Sequence, residues 1–207
     1  MTTPSPSREE LRRQRREQMT TRMADMQEAS VRQAKTRRMA IIGIVVAVVL
    51  VIAGALAFAV KEATAPLPGE VLADEGQQHV DVGTPTTYAT FPPASGPHYP
   101  SPAPWQFFDQ TLPPGYWVHN LEHGGIALLY KCPADCTKLK ADVQQLFQTL
   151  PPSKYGYVKL VAAPNDQFEG EVAVMAWTRR IIQPTFDAAE IRRFYQAFVD
   201  QGPEDAR

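Results

Sequence analysis

The 207 residues carry 21 Lys/Arg, 22 Asp/Glu and two cysteines, and the net charge of −1 hides an uneven split. The first 38 residues hold ten Lys/Arg against five Asp/Glu, residues 39–60 hold none of either, and the last 147 hold eleven against seventeen. The first sixty or so residues are thus excluded from a soluble core, and residues 61–207 have room for one domain rather than two.

Residues 1–38 are rich in Arg, Gln, Glu and Met and contain no aromatics. Ser7, followed by Glu9, Glu10 and Leu11, marks a helix start, and Arg12, Arg13, Arg15 and Arg16 make the segment strongly basic. It reads as a solvated, partly helical cytoplasmic tail beside anionic lipid, where each basic residue near the surface contributes about 1 kcal/mol. Tethering of that tail to a membrane argues against a nucleic-acid partner.

Residues 39–60 are 22 consecutive uncharged, mostly apolar positions with no polar stripe. As a helix they would span about 33 Å, enough to cross a bilayer core. Ala57-Phe58-Ala59 offers a small-x-small cleavage site, but the run is longer than a signal-peptide core and the segment before it is too long. Thr36-Arg37-Arg38 lacks the hydrophobic follow-through of a twin-arginine signal. An uncleaved, single-pass signal anchor is the better reading. The basic flank predicts a cytoplasmic N-terminus and places residues 61–207 outside the cytoplasm. In that compartment Cys132 and Cys136 are expected to form a disulfide.

Residues 61–78 read as a linker and 79–201 as the extracytoplasmic domain. Residues 84–114 hold nine prolines interleaved with Tyr88, Phe91, Tyr99, Trp105, Phe107 and Phe108. A disordered proline linker would lack such rings, so the spacing predicts a long ordered loop pinned to the domain. Further on, the pattern predicts a buried strand at 126–130 and an amphipathic helix at 137–150 that shows Leu139, Val143, Leu146, Phe147 and Leu150 on one face. Strands are predicted at 155–162 and 171–182. A final helix is capped by Asp187 with Glu190 as its capping-box partner, and its stripe is Ile191, Phe194, Tyr195, Phe198 and Val199. Residues 79–82 and 117–118 could add an edge strand. The predicted fold is α+β: a transmembrane helix, then one small mixed domain with a β-α-β-β-α core.

All four histidines, His79, His98, His119 and His123, fall within 45 consecutive residues. His119 and His123 are four apart. On a strand they would stand ~13 Å apart, but on a helical turn they share a face. Gly124-Gly125 supplies a helix stop, so a turn over 118–123 would bring His119, Glu122 and His123 into one sector. Imidazole is a common ligand of copper and zinc. The predicted metal ligands are therefore His98, His119 and His123, with Glu122 as a fourth ligand or as a partner orienting an imidazole. His79, near a presumed edge strand, is expected to be architectural. The opposing reading is that histidines beside Gly-Gly only bond backbone carbonyls and lock a turn.

His119–His123 also matches the H-x-x-E-H pattern of inverted zinc proteases, but the long helix that those enzymes need has no room here. Cys132-Pro-Ala-Asp-Cys136, between a strand and a helix, resembles the C-x-x-x-C loop of thioredoxin-like copper chaperones. A structural clip is the simpler alternative. Met175 and Trp177 are expected in the core.

Pro92-Pro93-Ala94-Ser95-Gly96-Pro97-His98-Tyr99-Pro100, Val118-His119-Asn120-Leu121-Glu122-His123-Gly124-Gly125 and Ala176-Trp177 resemble the bacterial family called domain of unknown function 3105. The resemblance covers about residues 75–200 and extends to the single N-terminal anchor usual in that family. It implies a membrane-anchored extracytoplasmic domain with His98, His119, Glu122 and His123 among its signature residues, and it implies no activity. The leading expectation is a metal-binding domain that is not itself an enzyme. The alternatives are an interaction module that docks an unidentified membrane protein through the proline-aromatic loop, and a metal-dependent hydrolase or thiol-redox protein.

Overall fold

A computed structural model describes residues 8–64 and 66–206. The chain divides between Ala65 and Pro66 into two compact units. The first is one helix, α1 (Arg8–Thr64). Its segment Lys35–Lys61 is long and apolar enough to cross a membrane. Side chains from Ile41 to Phe58 are exposed all round, as expected of a helix with no polar stripe to set against a soluble core. The helix start predicted at Ser7 lies outside the described residues.

The second unit is a five-stranded sheet covered on both faces. In chain order its elements are β1 (Glu70–Val71), α2 (Pro114–Glu122), β2 (Ile126–Tyr130), α3 (Thr137–Thr149), β3 (Leu160–Pro164), β4 (Val172–Ala176), β5 (Arg179–Gln183) and α4 (Ala188–Phe198). The strand order is β1-β5-β4-β2-β3. β2 and β3 are parallel, joined through α3, while β2–β4, β4–β5 and β5–β1 are antiparallel.

Because neighbouring residues on a strand point to opposite faces, β2 feeds two cores. Ile126, Leu128 and Tyr130 meet α3 and α4 through Val143, Leu146, Ile191, Phe194 and Tyr195. Ala127 and Leu129 meet Trp117, Val118 and Leu121 of α2, with Phe91, Trp105 and Phe108 of the proline-rich segment packed alongside. The predicted ordered loop is therefore one wall of the second core. Burial and the loss of its hydration push the Tyr130 phenol up to about 12, and its hydroxyl donates to the Phe108 carbonyl at 2.8 Å.

Several predicted elements are corrected. The segment 155–162 is not a strand until Leu160, because Ser153–Tyr157 closes a turn first, with Ser153 N donating to the Tyr157 carbonyl. The long strand 171–182 is a hairpin, β4 and β5, reversed at Trp177-Thr178. Thr178 there adopts φ 57°, a conformation that its β-branched side chain rarely takes, and its amide donates to the Ala94 carbonyl. The core order is thus β-α-β-α-β-β-β-α rather than β-α-β-β-α. Residues 117–118 lie in α2, and residues 79–82 contribute only a single bridge, His79 to His98. The edge strand is instead β1, inside the segment read as linker.

Asp187 caps α4, accepting from the amides of Ala189 and Glu190. The reciprocal half of the capping box is replaced. Gln183 reaches the Asp187 amide, and Glu190 accepts from Gln183 Nε2 at 2.9 Å. Asp187→Ala is expected to cost about 1 kcal/mol, read as a lower midpoint in denaturant titration. Cys132 and Cys136 are disulfide-bonded, clipping the end of β2 to the start of α3.

Candidate metal centre

Helix α2 positions the site. Pro113 and Pro114 start it, proline being suited to a helix's first turn, and Gly124, at φ +71°, lets the chain leave it in a left-handed conformation. Trp117 and Leu121 face the sheet and are fully buried. That fixes the rotation of the helix, so His119 and Glu122 point at the proline-rich segment. Asn120 holds the segment in place through both amide atoms, which bond Ala103 N at 2.9 Å and Ala103 O at 2.8 Å.

The same segment delivers His98. His98 N donates to the Gln78 carbonyl and Val80 N donates to the His98 carbonyl, which brings His79 alongside. His79, His98, His119 and Glu122 each offer a ligand atom, and the four atoms lie within 4.8 Å of one another. His98 Nε2 is 3.0 Å and His79 Nε2 3.5 Å from Glu122 Oε2. A tetrahedral ion with ligands at about 2.0–2.2 Å sets neighbouring ligand atoms about 3.3–3.6 Å apart, which the His79–Glu122 spacing matches and the His98–Glu122 spacing meets after opening by a few tenths of an ångström.

The other ring nitrogens decide which atoms face the centre. His98 Nδ1 lies 2.8 Å from the Gly96 carbonyl and His119 Nδ1 lies 2.6 Å from the Tyr99 carbonyl. A carbonyl only accepts, so both Nδ1 atoms carry the proton and both Nε2 atoms present bare lone pairs. The His98 lone pair then faces a carboxylate oxygen at 3.0 Å, and the His119 lone pair faces His123 Nε2 at 3.0 Å. At His98 acceptor is set against acceptor, which requires a cation or an added proton between them, while at His119 the lone pair is open to a cation or to the single proton that His123 Nε2 can carry. Burial, aided by the neighbouring His123 and His98, pushes the His119 imidazole below its ordinary value and disfavours the proton.

This lowered value makes stability depend on pH. Between the lowered folded value and the ordinary 6.5 the unfolded chain binds more protons, so stability falls as pH drops through this window. Chelator-treated protein is expected to melt lower at about pH 5.5 than at about pH 7.5, with a smaller difference in His119→Gln.

The model for the family Protein of unknown function (DUF3105) matches residues 79–207. The chain belongs to the DUF3105 family. No curated protein and no solved structure matches it. The DUF3105 match begins on His79 and runs beyond Glu204, so it takes in every side chain of the cluster.

Of the residues singled out from sequence, this DUF3105 domain brings His98, His119 and Glu122 together. His123 groups instead with Glu122 and Glu204, its Nε2 2.9 Å from Glu204 Oε2. His79, expected to be architectural, sits within the cluster with its ring parallel to that of His119 at 5.1 Å. Its spacing from His98 gives no hint, because the two meet through a bridge between irregular segments. Glu204 escapes sequence reasoning because the domain is expected to end at 201. Residues 200–206 instead fold back on the end of α2: Asp200 N donates to the Gly124 carbonyl and Glu204 N to the Glu122 carbonyl. Buried Lys159 ties the two strips, its Nζ donating to the carbonyls of His123 and Ala206. The disulfide stands apart from the cluster, on the opposite end of β2.

Proposed function

We propose that this protein is a single-pass, membrane-anchored domain that binds a divalent transition metal, zinc or copper, on the extracytoplasmic side. The ligands are His79, His98, His119 and Glu122. The observation that carries this reading is the pair of buried imidazoles whose Nδ1 atoms are held by backbone carbonyls while their Nε2 atoms face a carboxylate and a third imidazole. Three imidazoles and a carboxylate form a donor set of borderline softness that suits Zn²⁺ and Cu²⁺. The backbone anchoring fixes the tautomer and orientation that a ligating histidine needs.

The extracytoplasmic placement rests on the basic flank before the apolar segment and on the disulfide, which persists in oxidising compartments. The metal reading is favoured over a docking loop because the proline-rich segment turns Tyr99 and Ala103 into the interior and packs Phe91, Trp105 and Phe108 against the second core.

Calorimetric titration of the full chain in detergent micelles with Zn²⁺ and with Cu²⁺ tests the reading. Saturable binding by the wild type is expected, with at least one equivalent lost in the His98→Ala/His119→Ala double variant. Binding that the double variant retains in full would refute it.

A further inference from the structure

We infer that the domain holds a second cation position beside the first, formed by His123 and Glu204 with Glu122 as the carboxylate shared between the two. The inference rests on the proposed metal reading and extends it to a paired centre. Glu122 belongs to both ligand groups, with His79, His98 and His119 on one side and His123 and Glu204 on the other. A carboxylate has two oxygens and can serve two cations, and paired sites hold their metals about 3.5–4 Å apart.

Three further observations support the position. His123 Nε2 lies 2.9 Å from Glu204 Oε2 and 3.0 Å from His119 Nε2, so one imidazole nitrogen meets two acceptor atoms and has at most one proton to offer. His123 Nδ1 is buried and has no hydrogen-bond partner, which leaves the tautomer free to present the Nε2 lone pair. The backbone that carries Glu204 is built in. An added Cβ at Gly202 would stand 2.2 Å from the Glu122 carbonyl and 2.2 Å from Gly124 N, so only glycine lets the C-terminal strip lie this close to α2. One imidazole and two carboxylates are a harder donor set than the first position offers, suited to Zn²⁺ completed by water and unsuited to Cu⁺.

The test is the stoichiometry of Zn²⁺ retained by the full chain in micelles after equilibrium dialysis, measured by elemental analysis. Wild type is expected to retain two equivalents, and Glu204→Ala and Gly202→Ala each one. Glu204 is more than half exposed, so its removal leaves the core intact. Gly202→Ala lifts the strip by a different route, and thermal melts confirm that both variants fold. One equivalent in wild type, unchanged in both variants, overturns the second position and leaves the first standing. Two equivalents in all three proteins overturns the assignment to Glu204. No zinc in wild type overturns the reading beneath it as well.

Discussion

His98→Ala and His119→Ala are each expected to weaken Zn²⁺ binding by on the order of a hundredfold or more, since even residues that merely orient a ligand are worth ten- to a hundredfold. Both imidazoles are buried and held by a backbone carbonyl, so their lone pairs are already aimed and little ordering cost offsets the bond. His79→Ala should lose less, because the His79 side chain is 49% exposed and must be ordered from solvent before it can ligate. The same ranking is expected in thermal melts. Zinc at a hundred times its dissociation constant stabilises the wild type by about 2.7 kcal/mol, and that increment should vanish in the two buried variants.

Trp117→Ala is expected to destabilise the metal-free domain by about 3–5 kcal/mol, lowering its melting temperature by roughly 10 °C in scanning calorimetry. Trp117 is completely buried between α2 and the sheet, with Phe91 edge-on at 6.4 Å. Its loss opens a cavity under the helix that carries His119 and Glu122, so metal affinity should fall together with stability. His119→Ala should behave differently. That variant should remove metal-dependent stabilisation while costing the metal-free domain less, about 1–3 kcal/mol for the Tyr99 carbonyl left without its donor, because the apolar packing beneath α2 is untouched.

Much of the fold is legible in the sequence because its signals are local. The 22-residue apolar run, the stripe of α4 and the Asp187 cap each follow from spacing within a single element. The break at Trp177-Thr178 is not legible. A tryptophan and a threonine carry none of the glycine or asparagine chemistry that usually marks a tight reversal, and a tertiary bond to Ala94 holds the turn. The spacing of His119 and Glu122 is readable for the same local reason as the α4 stripe, since residues three apart on a helix share a face. His79 and Glu204 reach the centre through irregular backbone, the first by a bridge to His98 and the second by a strip that returns from the end of the chain. No periodicity announces such contacts. The segment before residue 79 reads as a linker for a related reason: β1 is two residues long, too short to show alternation.

Coordination of one ion by the imidazoles of residues 79, 98 and 119 together with Glu122 is the central claim. X-ray absorption spectroscopy at the zinc edge of the loaded full chain, carrying Glu204→Ala so that only this position is filled, addresses it directly. Nitrogen and oxygen scatterers at about 2.0–2.1 Å are expected, with multiple scattering from about three imidazoles that falls by one in His98→Ala. A spectrum dominated by sulfur, or one of hydrated zinc unchanged by that substitution, would contradict it.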